Sequence, residues 1–209
     1  MVITSRFLVF LGAALILAIT PGPGIFYVLA RSLRGGRREG VLSAAGTFLG
    51  GLVHVGAAAF GLSAILAASA IAFETVRYAG AAYLIYLGYR MIRNRDQEGE
   101  AVDTADASHG TFVQGVMTEV LNPKTALFFL SFIPQFVSVP QGHVATQFLM
   151  LGAISVTLNT CADLLVACFA GPLGSRMKRN AKFRSRQRVA SGAAMVGLGV
   201  YVATVRGRS

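Results

Sequence analysis

The chain has 209 residues, 54% of them hydrophobic and 13% charged, with a mean hydropathy of +0.60. That leaves too little polar surface to cover a water-soluble globule, so a soluble enzyme or binding domain is excluded in favour of a membrane protein. The formal net charge of +10 sits in clusters between apolar stretches and therefore reports on topology.

A spanning helix needs about 20 apolar residues. Six stretches qualify: residues 7–30, 41–67, 71–92, 112–137, 144–170 and 189–205. The first follows Arg6 like a signal peptide, but it runs on through Pro21 and Pro23 without a small-x-small cleavage pattern and is expected to be a retained helix. It is interrupted at Thr20-Pro21-Gly22-Pro23-Gly24, where the missing proline amide breaks the helix. Arg31, Arg34, Arg37 and Arg38 follow it.

The second span carries Gly46-x-x-x-Gly50, a spacing for close helix contact within the bundle or between protomers, and His54, a proton relay or a packing residue. At the start of the third, Glu74 and Arg77 are spaced for an interfacial salt bridge. Arg90, Arg93 and Arg95 follow, and then an acidic, small-residue stretch at 96–110 that reads as a solvated linker.

The fourth span contains Glu119 and is interrupted at Asn122-Pro123-Lys124; Phe128, Phe129, Phe132 and Phe136 beyond it read as core or lipid-facing surface. The fifth contains Asn159, Cys161, Asp163 and Cys168, the cysteines reading as small core residues because their spacing suits neither a disulfide nor a redox pair. Seven Lys and Arg residues between Arg176 and Arg188 precede the sixth. Such a cluster invites a nucleic-acid reading, but topology and anionic headgroups account for it, and no nucleic acid is expected as a partner.

The connections at 68–70 and 138–143 carry no Lys or Arg, so the basic connections are expected to be cytoplasmic and both termini periplasmic. Arg206 and Arg208 argue mildly against that orientation. A shift of about a hundred residues superimposes the two breaks and the spans around them, so the expected fold is an all-α integral membrane protein of six transmembrane helices. These form two inverted three-helix repeats, at about 6–92 and 112–205, joined by a linker at about 93–111 in one domain of residues 1–209, with helices one and four broken at proline.

Thr20 before Pro21 and Asn122 before Pro123 each place a capping residue ahead of a proline, the pattern of a helix start. Two half-helix N-termini would then meet at mid-membrane, where amides and partial positive charge favour an anion, with Gly22 and Gly24 allowing close backbone approach. His54, Glu119, Lys124 and Asp163 are ionisable groups inside spans, and each needs a partner or a wet cavity. Lys124 suits a substrate carboxylate or a structural pairing with Asp163 or Glu119, and Asp163, with Asn159 one turn away, suits a substrate ammonium or a transported proton. The expected binding set is Thr20, Pro21, Gly22, Gly24, Asn122, Lys124, Asn159 and Asp163; the expected proton-coupling set is Asp163, Glu119 and His54.

With Leu127-Phe128-Phe129, Phe132 and Pro134-Gln135-Phe136 after the second break, the chain resembles the LysE/RhtB family of amino-acid exporters, whose members share PGP and NPKxxLFFxxFxPQF patterns. The resemblance covers nearly the whole chain. It implies a bacterial inner-membrane carrier that exports an amino acid or a derivative, such as threonine, homoserine, homoserine lactone, lysine or leucine, driven by proton exchange; no cofactor and no metal are expected. Its partners would be a small-molecule substrate, protons and membrane lipid, with a homodimer as a plausible assembly. Distant relatives pass electrons through cysteines after intramembrane prolines, but Gly22 and Lys124 follow Pro21 and Pro123 here. A heavy-metal exporter using His54, Cys161 and Cys168 is the alternative transporter, although that set is incomplete. An intramembrane acid/base enzyme built on Asp163 and Glu119 lacks an accompanying nucleophile or metal motif.

Overall fold

The computed structural model describes residues 2–62, 64, 69–95 and 110–204, and among these every regular element is helical. The linker expected at about 93–111 falls largely outside the described residues, as do Arg206 and Arg208. Helix α1 (Val2–Ile19) stops at the first break, and α2 (Pro23–Gly56) resumes after it and runs into a π-helical turn, Ala57–Leu62. Helix α3 (Ala70–Arg93) is capped by Ser69, whose hydroxyl accepts from the Ala72 amide at 3.2 Å. The second break separates α4 (Thr111–Val120) from α5 (Pro123–Leu127), which continues as a π-helical turn, Phe128–Phe132, and a 3-10 turn, Ile133–Phe136. Helices α6 (Val144–Arg179) and α7 (Ala181–Thr204) complete the chain.

Two of these elements are continuous and apolar enough to cross a membrane, Pro23–Leu62 and Val144–Ala170, and the pair Thr111–Val120 and Pro123–Phe136, bent by 41°, makes a third crossing if taken together. Their outer faces suit lipid. Phe60 is 72% exposed and Leu165 60%, side chains that water would drive inward.

The basic connections are more helical than a loop reading expects. Between Arg34 and Arg37 the only residue that leaves helical geometry is Gly36, at φ 74° and ψ −169°, a conformation that L side chains rarely adopt. The chain folds back there, so that Val28 and Ala44 pack together against Ala167 of α6. The segment between Arg176 and Arg188 is likewise helical except at Asn180. A cluster of positive charge does not by itself dictate a coil.

Close packing depends on missing side chains. A Cβ on Gly50 would lie 2.7 Å from the Val116 carbonyl oxygen, and one on Gly115 would lie 2.8 Å from the Ser43 carbonyl oxygen, so the second arm of α2 and α4 run almost backbone to backbone. The Gly46-x-x-x-Gly50 spacing therefore serves a contact within the chain. Gly88 of α3 and Gly192 of α7 form a reciprocal contact, each Cβ position 2.5 Å from the other's carbonyl oxygen. Phe10, Phe128, Phe129, Phe132, Phe148 and Val202 close the main core, which places three of the four span-four phenylalanines in it; Phe136 packs at its edge.

Cys161 and Cys168 are exposed, which corrects the expectation of core cysteines. Burial preferences learned from soluble proteins do not carry over to a surface bathed in hydrocarbon. The Glu74–Arg77 bridge forms at 3.0 Å, but Arg77 is 2% exposed and Glu74 42%, so only the carboxylate half is interfacial.

Gly50→Ala is expected to destabilise the protein by about 1–3 kcal/mol, because its Cβ meets backbone and forces α2 and α4 apart. Gly56→Ala, where nothing lies within 4 Å, serves as control. Thermal unfolding in detergent, followed by circular dichroism, should lower the midpoint for the first variant alone.

Candidate functional site

Both breaks point into the same place. At the first, the Thr20 hydroxyl donates to the Ile16 carbonyl at 2.6 Å and finishes α1. The N-cap of α2 is Gly22, with no side-chain cap, and Pro23 takes the first helical position. This corrects the expectation that Thr20 and Pro21 begin the helix: in a Pro-Gly-Pro sequence either proline can hold that position, and Pro21 stays in the connection. At the second break the expectation holds, since Asn122 Oδ1 accepts from the Lys124 amide at 3.1 Å and Pro123 leads α5.

The buried Lys124 ammonium donates to the carbonyls of Thr20 at 2.8 Å and Leu17 at 3.1 Å. It thus lies at the carboxyl end of α1, where the exposed carbonyls carry partial negative charge, and its stem passes 3.2 Å from the Cβ position of Gly22. No salt bridge joins it to Asp163 or Glu119 among the described residues. The sequence had suggested an ammonium held beside helix N-termini or in an ion pair; helix carbonyls hold it instead.

Those N-termini face a carboxylate from the chain itself. Glu119 Oε2 accepts from Asn122 Nδ2 at 2.9 Å and Oε1 from the Thr125 hydroxyl at 2.6 Å, while a Cβ on Gly24 would come within 2.7 Å of Oε2. Gly24 lies in the first turn of α2, and Asn122 and Thr125 flank the start of α5. Glu119 therefore occupies the position that two half-helix dipoles make favourable for an anion.

Asp163 of α6 is buried opposite, with the Thr47 hydroxyl 2.8 Å from Oδ2. Asn159 uses its Nδ2 on the Ser155 carbonyl at 2.9 Å and borders the same space. Between these groups lies a cavity of about 20 Å³, room for about one water molecule. Gly24, Glu119, Asn122, Lys124, Asn159 and Asp163 line it, and Leu17, Ile25, Phe128, Phe129 and Val156 provide its apolar walls. Leu17 also borders an apolar groove of about 450 Å³ between α1 and α7.

Of the expected residues, Thr20, Pro21 and Gly22 stand at the break without lining the cavity. His54 also stays outside; its Nε2 lies 2.9 Å from the Glu119 carbonyl and its ring stacks on Phe129 at 5.9 Å between centroids. Thr47, Thr125 and Thr160 are the polar cavity residues that sequence reasoning missed. Threonines in membrane helices commonly bond to the carbonyl one turn back, as Thr157 and Thr160 do here, and nothing in the local sequence separates the two that reach a carboxylate.

A helical membrane protein with ionisable groups enclosed between broken helices has the form of a transporter. Residues 15–206 match the LysE type translocator family, and the chain belongs to it. It is 35% identical to an uncharacterized membrane protein of Pseudomonas aeruginosa, over 97% of this chain and 96% of that one. An uncharacterized membrane protein of Bacillus subtilis is 30% identical over 92% and 96%, and a leucine efflux protein of Klebsiella pneumoniae is 30% identical over 75% and 74%. No solved structure matches the chain.

Asn122→Ala removes both the α5 cap and a donor to Glu119, and is expected to cost about 1 kcal/mol for the cap with a further penalty for the underbonded carboxylate. Asn122→Ser, which restores a capping oxygen, should recover part of the loss in the same unfolding measurement.

Proposed function

We propose that the protein is a secondary transporter exporting an amino acid or amino-acid derivative across the bacterial inner membrane by alternating access, in exchange for protons. The observation that carries this reading is the enclosure of Lys124, Glu119 and Asp163 in one cavity at the junction of two broken helices. A zwitterion offers the carboxylate and ammonium that such a set can bind. The substrate carboxylate displaces Glu119 from the paired helix N-termini, and its ammonium goes to Asp163 and Asn159. Protonation of the displaced carboxylate, or of Asp163, couples the movement of solute to that of protons.

The side chain of the solute meets Leu17, Ile25, Phe128, Phe129 and Val156, and beyond Leu17 lies the apolar groove. Those walls favour an aliphatic substrate, in keeping with the leucine efflux proteins among the relatives. A cavity of about 20 Å³ cannot hold an amino acid as it stands, so binding requires the helices around the breaks to part.

The full plan behind this mechanism is six spans in two inverted repeats, with both termini periplasmic. Packing supports the repeat. Exchange of spans one, two and three for four, five and six turns the contact of α2 with α4 into that of α6 with α1, and leaves the α3 and α7 pair as its own mate.

In everted vesicles with an imposed pH gradient, a panel of radiolabelled amino acids should show uptake of at least one aliphatic member, abolished when the gradient is collapsed. Lys124→Ala and Asp163→Asn should each lower that uptake at least about tenfold with protein still in the membrane, each removing a charge-assisted contact. Normal uptake by both variants would refute the binding site.

A further inference from the structure

Among the described residues three buried side-chain atoms have no hydrogen-bond partner: Arg77 Nε, Ser131 Oγ and Gln135 Oε1. Arg77 belongs to the first turns of α3, and Ser131 and Gln135 to the last turns of the broken helix. A Cβ on Gly80 would collide with the Ser131 hydroxyl, so these elements touch there. Helices α3 and α7 are antiparallel, because Gly88 faces Gly192 while the Arg188 guanidinium reaches the Asn94 carbonyl at 2.6 Å. Helix α6 starts near the end of the broken helix, where Gln147 bonds Ser138, and returns to the region of Gly40 and Ala167, so α7 leaves from that opposite end and runs in the sense of α4 and α5. Stepping from Gly80 back to Arg77 therefore goes the same way as stepping from Ser131 on to Gln135, away from the central cavity.

The orphaned atoms are oriented by the partners their neighbours do have. Arg77 donates through Nη1 to Glu74 at 3.0 Å and through Nη2 to the Tyr78 hydroxyl at 2.9 Å, which leaves Nε. Gln135 Nε2 donates to the Ser131 carbonyl at 2.9 Å, which fixes the amide and leaves Oε1. Arg77, Ser131 and Gln135 are 2%, 0% and 9% exposed, so bulk water does not serve these groups. Two of them can donate to a carboxylate, and the third can accept from an ammonium.

We propose that Arg77, Ser131 and Gln135 form a second station for the zwitterionic head group of the transported solute, separated from the central cavity by Phe128 and Phe132. The carboxylate takes Arg77 Nε and Ser131 Oγ, and the ammonium takes Gln135 Oε1. Phe128 lines the central cavity and stacks on Phe132 at 5.0 Å between centroids, within a π-helical turn that begins at Phe128. Such turns are rare and concentrate at functional positions. Passage across this turn hands the solute from Lys124 to Arg77. The proposal rests on the amino-acid exporter reading and extends it outward.

The test is exchange of a transported amino acid, with half-saturation measured separately at the two faces in right-side-out and everted vesicles. Arg77→Lys keeps a cation beside Glu74 but removes Nε, and Ser131→Ala removes the hydroxyl with little change in volume. Each should raise half-saturation at the outer face about tenfold while leaving the inner face within about twofold. Wild-type exchange with an unshifted outer half-saturation in both variants overturns the station alone, as does an equal shift at both faces or a change in unfolding temperature only. A wild-type protein that moves no amino acid overturns the exporter reading and the station with it.

Discussion

The ammonium of Lys124 on the open carbonyls of α1 is the contact around which the interior is organised. A helix that stops in a nonpolar surround leaves carbonyls unbonded, and a lysine carried there pays for leaving water; each is costly alone. Together they offset one another, because the carboxyl end of a helix is where a cation is favoured. Glu119 does the complementary thing at the amino ends of α2 and α5, bonded to Asn122 and Thr125 and pressed against Gly24. The chain around the second break thus supplies the cation that finishes the first half of one helix and the anion that starts its second half.

Such reciprocity requires the helices to be close. The contact of Gly50 and Gly115 with α4 and α2 backbones brings Glu119 to Gly24, and Gly51 lets Val156 of α6 approach to 3.0 Å of its Cβ position, which sets Asp163 across from Lys124. Small residues in the second span matter through what they bring together as much as through the area they bury. Larger side chains there would separate charges that are stable only side by side, and dispersion alone would not restore them in a solvent as apolar as the helices.

What could be read from the sequence follows from how local each cause is. A proline breaks its helix whatever surrounds it, so both interruptions were legible, and Asn122 before Pro123 capped as its chemistry dictates. Between Pro21 and Pro23 the local pattern offered two first positions, and it is Pro23 that leads α2. Lys124, Asp163 and Asn159 stood out because charge and amide groups in an apolar run need a cavity or a partner. Which partner each took was a tertiary matter. Glu119 reads as one more ionisable group inside a span, and the bend brings it into the same cavity as Lys124. Thr47 and Thr125 carried no mark, since a hydroxyl in a membrane helix is usually satisfied one turn back. The Gly46-x-x-x-Gly50 spacing was visible, and its partner was not.

The distribution of regular hydrogen bonding also decides where this architecture yields. Helices α3 and α7 are long, and their glycine contact joins backbone to backbone, so neither moves far without the other. By contrast α5 has five residues and passes at once into π and 3-10 turns, giving it few strong internal bonds to resist bending. At the first break the start of α2 has no side-chain cap. Deformation therefore concentrates in the segments that carry Lys124, Asn122 and Gly24. The segments that carry Lys124, Asn122 and Gly24 are thus the ones with the fewest regular backbone hydrogen bonds to hold them straight, and their side-chain contacts do that work instead.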